Sequence, residues 1–481
     1  MAFRRSRYTI VSDAPIGGQH LLMHGITGAM DEVSEGVVSL LQDGDLSVED
    51  GVAKYGISPE TLTLLEQRGY VTKLAEAQER NGVGRFINKL HKIKVDNCAS
   101  FMIVITYLCN LRCHYCFQKP LVEEDGRRTH TELITEEVVD AAFESMDQLI
   151  KQKSARHTLE LFGGEPLLLK NRPIIEHILD KARERRFKIA ATSNATDLHH
   201  YKDLLGPDGI ERLQITIDGK PQTHDLIRIY PSGKGSFDVI SDNVSMALDR
   251  GARVNLRINI ASYNIQDLPE IVEHIQKKGW SKHPMFAAGL AEVHYLGIQA
   301  DRSHELSRLD LVERLASIDA PYFTRKALLR GIFGKHFQYG PNQPPQPEFD
   351  TAYCNAMQGH YIFDPYGHVY TCTEDVGFER ARVGTFHPGG LKFNPIRLSG
   401  WHDRTPANLP DCPNCEYLQV CRGGCARNAL VETGEAWTSY CGDFKNYFRR
   451  VLTLLHEDMK SSSADELAVL GLSQMVTSCK S

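Results

Sequence analysis

Two periods of apolar residues alternate through the middle of this chain. Unbroken apolar runs rich in β-forming residues lie at 101–107, 158–162, 187–192, 213–217, 254–260 and 285–290. Between them, apolar positions recur at helical spacing over 135–152, 173–186, 199–205, 237–250 and 268–278, with one more such segment at 304–318. Strands that read as continuous apolar runs are buried on both faces, and parallel neighbours need a crossover helix. Six strand–helix units therefore predict an α/β fold, a partial (β/α)6 TIM-like barrel open on one side and spanning 98–340. In β/α barrels the chemistry sits at the C-terminal ends of the strands, and the unusual residues of this segment fall there.

The flanks follow other patterns. Residues 1–75 suggest a strand at 8–11, another near 20–24, and a helix carrying Val33, Val37, Val38, Leu40 and Leu41 that Gly44 stops. A second helix opens at Ser58-Pro59, with Leu62, Leu65 and Tyr70 on one face. Strands followed by short helices predict a winged-helix-like unit, read either as a peptide-docking module or as a capping subdomain. Residues 76–97 are charged and helical, a connector. Four prolines within 341–347 predict a stiff linker. It opens a domain over 341–450 that is rich in Cys, Gly and turns, before a C-terminal helix and tail over 451–481.

Charge narrows the partners. Lys plus Arg number 55 and Asp plus Glu 61 in 481 residues, a net charge of −6 with no long basic run. That argues against nucleic acid or an anionic membrane as partner. No stretch has the length and apolarity of a membrane span, and the first residues lack the apolar core of a signal peptide. The expectation is a soluble cytoplasmic protein. In that reducing compartment the 12 cysteines point to metal ligation rather than disulfides.

Their spacing carries the chemistry. Cys109, Cys113 and Cys116 follow the first barrel strand in a C-x3-C-x2-C loop. Three thiolates on one loop can hold three corners of an iron–sulfur cubane and leave the fourth iron open. A zinc site is the alternative, with His114 as fourth ligand, but zinc favours paired C-x2-C knuckles. The loop, with Tyr115 just before its last cysteine, resembles that of the radical S-adenosylmethionine (SAM) enzymes. The resemblance extends to Gly163-Gly164-Glu165-Pro166 after the second strand, similar to the GGE motif that receives the SAM ammonium group. It extends also to Ser193-Asn194 after the third strand, similar to the ribose-binding polar residues. By the same likeness Arg257 on the fifth strand would meet the SAM carboxylate, or else form an ordinary barrel salt bridge, and Tyr115 would pack near adenine. The family's chemistry is hydrogen abstraction by a radical made from SAM.

Seven more cysteines follow: Cys354-x12-Gly367-x4-Cys372, then Cys412-x2-Cys415-x5-Cys421-x3-Cys425, then Cys441. A zinc ribbon is the alternative for the inner four. The array resembles the SPASM domain of radical SAM peptide maturases, which implies two auxiliary 4Fe-4S clusters and so three clusters in all. By the family pattern Cys412, Cys415, Cys421 and Cys441 would hold one, and Cys354, Cys372 and Cys425 the other. The second set lacks a ligand, leaving an iron open to substrate or capped by Asp350 or Glu348. Sulfatase-maturing relatives carry an Asp directly after the equivalent of Cys372. Here Thr373 stands there, followed by Glu374 and Asp375, either of which could serve as the catalytic base.

Together these features imply an oxidoreductase acting on ribosomal peptides (RiPP maturation). The resemblance implies a leader-bearing precursor peptide as substrate, oxidative closure of a thioether, C–C or C–O bond, and a low-potential electron donor such as flavodoxin or ferredoxin. Formylglycine formation on a sulfatase is the second reading. An iron–sulfur electron carrier or peptide-binding protein without radical activity is a third. Cys98 reads as a buried thiol and Cys479 as a free one, while Asp218, His224, Asp225 and Arg228 share the rim after the fourth strand without an assigned role.

Overall fold

A computed structural model of the chain describes residues 3–43, 45–46, 54–97, 99–122, 130–151, 157–293, 302–320, 323, 337–340, 343–347 and 349–461. Gly44, Cys98, Glu348 and Cys479 lie outside the described residues.

Among the described residues eighteen strands are numbered in chain order. The six central ones are β7 (Ser100–Thr106), β8 (Thr158–Gly163), β9 (Lys188–Ser193), β10 (Ile210–Thr216), β11 (Arg253–Ile260) and β12 (Phe286–Glu292). They lie side by side in sequence order and every pair is parallel. Helices Glu136–Leu149, Arg172–Glu184, Phe237–Asp249 and Leu268–Lys277 return the chain between them. The segment expected as a helix after β9 is only a 3-10 turn, Leu198–Tyr201, too short to complete an α-helical crossover. Phe143, Ile178, Val244 and Ile275 from these helices are buried against Ile103, Leu161, Leu213 and Leu256 of the strands. Each such side chain contributes about 1.5–3 kcal/mol on leaving water.

The sheet does not stop at β7. On that side it continues through β15 (His360–Phe363), β16 (His368–Tyr370), β17 (Gly384–His387) and β18 (Gly390–Phe393), making one mixed sheet of ten strands. β15 runs parallel to β7, pairing Tyr361 with Phe101 and Phe363 with Ile103, and the other three are antiparallel. The Cys-rich region is therefore anchored to the central sheet by main-chain hydrogen bonds. Where the prolines predict a stiff linker, β13 (Phe337–Gly340) and β14 (Gln343–Pro347) pair as an antiparallel hairpin.

The described residues between 3 and 72 include two three-stranded sheets. One is β2 (Thr9–Val11), β3 (Gln19–His24) and β4 (Met30–Ser34), and the other β5 (Asp45–Leu46), β1 (Phe3–Arg5) and β6 (Val71–Thr72). Helix Glu35–Gln42 packs on them through Val37, Val38, Leu40 and Leu41, whereas Val33, expected on the same helix, lies on β4. Helix Pro59–Arg68 starts with Ser58 capping Thr61 and ends at Gly69 in the left-handed conformation. Ile10, Leu21, Met23 and Met30 of the first sheet pack against Phe448, Val451, Leu452 and Leu455 of the C-terminal helix Phe444–Ser461. The connector, helix Glu76–Asn97, ties the same unit down through Glu79, which accepts from Ser6 at 2.5 Å and Arg4 at 2.7 Å. No helix of the described residues is long and apolar enough to cross a membrane.

His24 is buried between Ser6, 3.0 Å from its Nε2, and Thr27, whose amide donates to its Nδ1 at 3.0 Å. Burial lowers its pKa from 6.5 to about 4. The unfolded chain takes up this proton first as pH falls, so the contribution is complete above pH 6.5 and is lost toward pH 4. It should amount to about 2 kcal/mol between pH 7 and pH 5, a slope that urea melts should show flattened in His24→Gln.

Candidate active site at the strand ends

Strand β7 leads directly into the loop of Cys109, Cys113 and Cys116, and β8 ends beside it at Gly163-Gly164. The two backbones are nearly in contact. A Cβ on Gly163 would lie 2.2 Å from the Thr106 carbonyl oxygen, and one on Gly164 would lie 2.3 Å from that of Tyr107 and 2.4 Å from that of Leu108. Gly163 also has φ +143°, which excludes ordinary side chains. The approach lets Gly164 N–H donate to Thr106 at 2.8 Å and Glu165 N–H to Leu108 at 2.9 Å.

Glu165 carries the stitching to the third strand. It is 1% exposed and accepts from Ser193 Oγ at 2.7 Å, Asn194 N–H at 2.6 Å and Leu167 N–H at 2.9 Å. Burial pushes its carboxyl up to about 7, and those three donors pull the other way. Asn194 reaches on to Asn110 at 2.9 Å and to Cys109 Sγ at 3.6 Å. Asn110 in turn donates to Thr196 at 2.8 Å. The ends of β7, β8 and β9 are thus one hydrogen-bonded unit around Cys109, and Asn110 is a member that motif reading missed.

The opposite wall comes from β10 and β11. Tyr115 donates to Asp218, and its hydroxyl receives Arg228 at 2.8 Å and Asn259 at 3.0 Å. Asp218 also accepts from Asn259 N–H at 2.9 Å and faces Arg228 at 3.5 Å. The rim residues without an assigned role, Asp218 and Arg228, therefore fix the tyrosine of the cysteine loop. His224 supports them through Asp218 N–H at 3.1 Å and Ser236. Arg257 donates to Asn259 at 2.7 Å rather than to a carboxylate. Ser193, Asn194, Asp218 and Arg228 meet at this rim, whereas Asp225 accepts from Ser236 and Phe237 at the start of the next helix; their partners were not legible, because they depend on which strand ends become neighbours.

The remaining cysteines fall into two neighbourhoods. Burial, then negative charge on Cys421, Cys415 and Cys441, raises the Cys412 thiol to about 12. Burial, then charge on Cys425 and Glu374, raises Cys354 to about 11, and Cys372 is raised by burial, Asp375, Glu374 and Cys354. Among the described residues no three His, Cys, Asp or Glu side chains close on a single metal ion. The donor set nonetheless suits anionic clusters. Thiols raised this far stay protonated at neutral pH unless bound iron displaces the proton, and the fully buried guanidinium of Arg404 lies among them.

The two acids after Cys372 differ sharply. Asp375 is 2% exposed and bound to Arg380 at 2.8 Å and Arg427 at 3.2 Å. Glu374 keeps a 41% exposed side chain, 3.9 Å from Arg427. Asp350 has both oxygens occupied, by Lys94 at 2.9 Å and Arg422 at 2.6 Å.

Residues 103–275 match the family model of the Radical SAM superfamily. The chain carries a radical SAM domain. Such a domain is catalytic and of oxidoreductase type, and the matched residues span β7 to the helix after β11. A probable GTP 3',8-cyclase of Methanococcus maripaludis is 26% identical over 232 residues, 47% of this chain and 69% of that protein. A cysteine-type anaerobic sulfatase-maturating enzyme of Clostridium novyi is 22% identical over 366 residues, 72% of this chain and 93% of that protein. Among solved structures, native anSMEcpe with bound AdoMet superposes at TM-score 0.54 with 15% identity, covering 75% of this chain and 99% of that one. The same protein with bound AdoMet and Cp18Cys peptide gives TM-score 0.53 at 16% identity, covering 76% and 99%. At these identities the likeness is one of fold.

In the radical SAM domain, Gly164→Ala should force the cysteine loop away from β8. The expected cost is about 1–3 kcal/mol, with loss of SAM binding by calorimetry. Gly82→Ala, inside the helix Glu76–Asn97 where a Cβ would meet nothing within 4 Å, should leave SAM binding unchanged and raise stability by about 0.5–1 kcal/mol.

Proposed function

We propose that this radical SAM enzyme modifies a ribosomally made peptide, abstracting hydrogen and closing a thioether, C–C or C–O bond by oxidation. The observation that carries the reading is the pairing of an open three-cysteine loop at the strand ends with two further cysteine neighbourhoods joined to the same sheet through β15. Support comes from neighbours of the same fold, one of which holds AdoMet together with a peptide.

In this reading Cys109, Cys113 and Cys116 hold a 4Fe-4S cluster whose open iron takes SAM. The two neighbourhoods hold auxiliary 4Fe-4S clusters in a SPASM-type domain, Cys412, Cys415, Cys421 and Cys441 for one, Cys354, Cys372 and Cys425 for the other. Bound there, cluster and SAM would supply one-electron cleavage and a hydrogen-abstracting radical, with a flavodoxin or ferredoxin as reductant. The chain orients and dries the site. Gly163, Gly164, Ser193 and Asn194 place the SAM-facing backbone, Glu165 locks it, Tyr115 is held against Asp218 and Arg228, and Arg257 lies on β11 for the carboxylate. The site is cytoplasmic in this reading.

Glu374 is the acid left to move a proton, because its side chain is exposed while Asp375 is buried and bound to Arg427 and Arg380. The winged-helix-like unit would bind the leader by strand addition, which needs a sheet edge; its two sheets end on β2 and β4 and on β5 and β6. The sulfatase-maturating relative keeps formylglycine formation as a second reading, since it aligns along 93% of its own length.

Anaerobically reconstituted protein should release 5′-deoxyadenosine under reducing conditions, and Cys113→Ala should release none. Absence of release from wild type would leave an electron carrier. Co-expression with a candidate peptide should give a product two mass units lighter for a cross-link, and a formylglycine-bearing sulfatase peptide would decide for the second reading. Glu374→Gln should slow product formation about 100-fold while SAM cleavage persists, the span of one acid–base catalyst. Asp375→Asn should instead lower the melting temperature.

A further inference from the structure

Arg404 is a charge without a counter-charge. Its residue is 0% exposed, and among the described residues no carboxylate lies within ion-pair distance of it. Its donors go to backbone carbonyls instead: Ala436 at 2.6 Å, Thr438 at 2.7 Å, Gly424 at 2.9 Å and Gly423 at 3.2 Å, with Met357 Sδ at 4.0 Å. A guanidinium stays charged in proteins, and burying one without an anion costs several kcal/mol even after relaxation. Carbonyl dipoles offset part of that cost. The rest calls for negative charge nearby.

The partners of Arg404 say where that charge belongs. Gly423 and Gly424 stand between Cys421 and Cys425, and a Cβ on Gly423 would meet Cys412 Sγ at 3.7 Å. Ala436 and Thr438 precede Cys441, and a Cβ on Gly424 would lie 2.1 Å from the carbonyl of Tyr440. Met357 follows Cys354 in the 3-10 turn Asn355–Met357. One side chain therefore braces loops of both cysteine sets. Cys425, Cys412, Cys354 and Cys421 are the thiols whose charge acts on it, two from each set. The Cys109 loop is different, because its nearby guanidinium, Arg228, already faces Asp218.

We infer that Arg404 is a shared positioning residue of the two auxiliary sites, a fixed positive charge that raises the reduction potential of the iron–sulfur group in each. This rests on the reading that both sets hold clusters. Reduction adds negative charge to a cluster, and a buried cation stabilises that state more than the oxidised one, so both potentials rise together. A radical enzyme that oxidises its peptide needs an acceptor, and a raised auxiliary potential provides it.

The test compares wild type, Arg404→Lys and Arg404→Gln as full-length, anaerobically reconstituted protein, by iron and sulfide content and by EPR-monitored redox titration. Expected is a downward shift of both auxiliary signals in Arg404→Gln, with the signal of the Cys109 set unmoved and Arg404→Lys close to wild type. Loss of auxiliary iron in Arg404→Gln but not in Arg404→Lys would support the same dependence on charge. Unchanged potentials in an iron-replete Arg404→Gln, a shift at only one auxiliary site, or equal iron loss in both variants would overturn it and leave Arg404 a loop brace. Wild type that takes up iron at the Cys109 set alone would overturn the cluster reading itself, and the inference with it.

Discussion

The site depends on a contact between two backbones. Thr106, Tyr107 and Leu108 present carbonyl oxygens at the end of β7, and Gly163-Gly164 lies against them closely enough that neither glycine has room for a methyl group. That approach aligns two main-chain hydrogen bonds and leaves the cysteine loop a single course. Everything else at the rim is arranged around it. Glu165 turns inward to hold Ser193 and Asn194, and Asn194 turns back to Cys109. A buried carboxyl with three donors is costly alone and stable only as part of a fully satisfied network.

A second constraint is continuity of the sheet. An open parallel sheet exposes the main-chain groups of its edge strand, and β15 covers the edge of β7. The cover is made by the segment that carries the cysteine-rich loops, so the strand bearing the first cysteine loop and the segment between Cys354 and Cys372 are neighbours in one hydrogen-bonded layer. The N-terminal unit is fastened in turn to the C-terminal helix through Ile10, Met23, Phe448 and Val451. The first and last described segments of the chain thereby pack on one another.

Buried charge sorts the ionisable residues by task. Asp375 and Asp218 are neutralised by arginines and shape loops, while Glu374 stays open beside three thiols. Arg404 is buried and donates to backbone carbonyls of the loops that carry Cys421, Cys425 and Cys441.

Amino-acid order alone determined the six central strands and most of the helices between them, because an apolar run between turns or an apolar residue every third or fourth position has few other ways to bury itself. It also determined the candidate metal chemistry, since three cysteines within eight residues are close in any fold. The short turn after β9 and the proline hairpin escaped it, because local propensity yields to tertiary pairing. What only the tertiary structure decided is partnership across the chain: β15 beside β7, Tyr115 beside Asp218 and Arg228, Asp375 buried against Arg427 while Glu374 stays exposed near it, Asp350 taken by Lys94 and Arg422. These are contacts between residues tens to hundreds of positions apart. Nothing in their local sequence specifies them, because packing and burial of charge act on the folded chain as a whole.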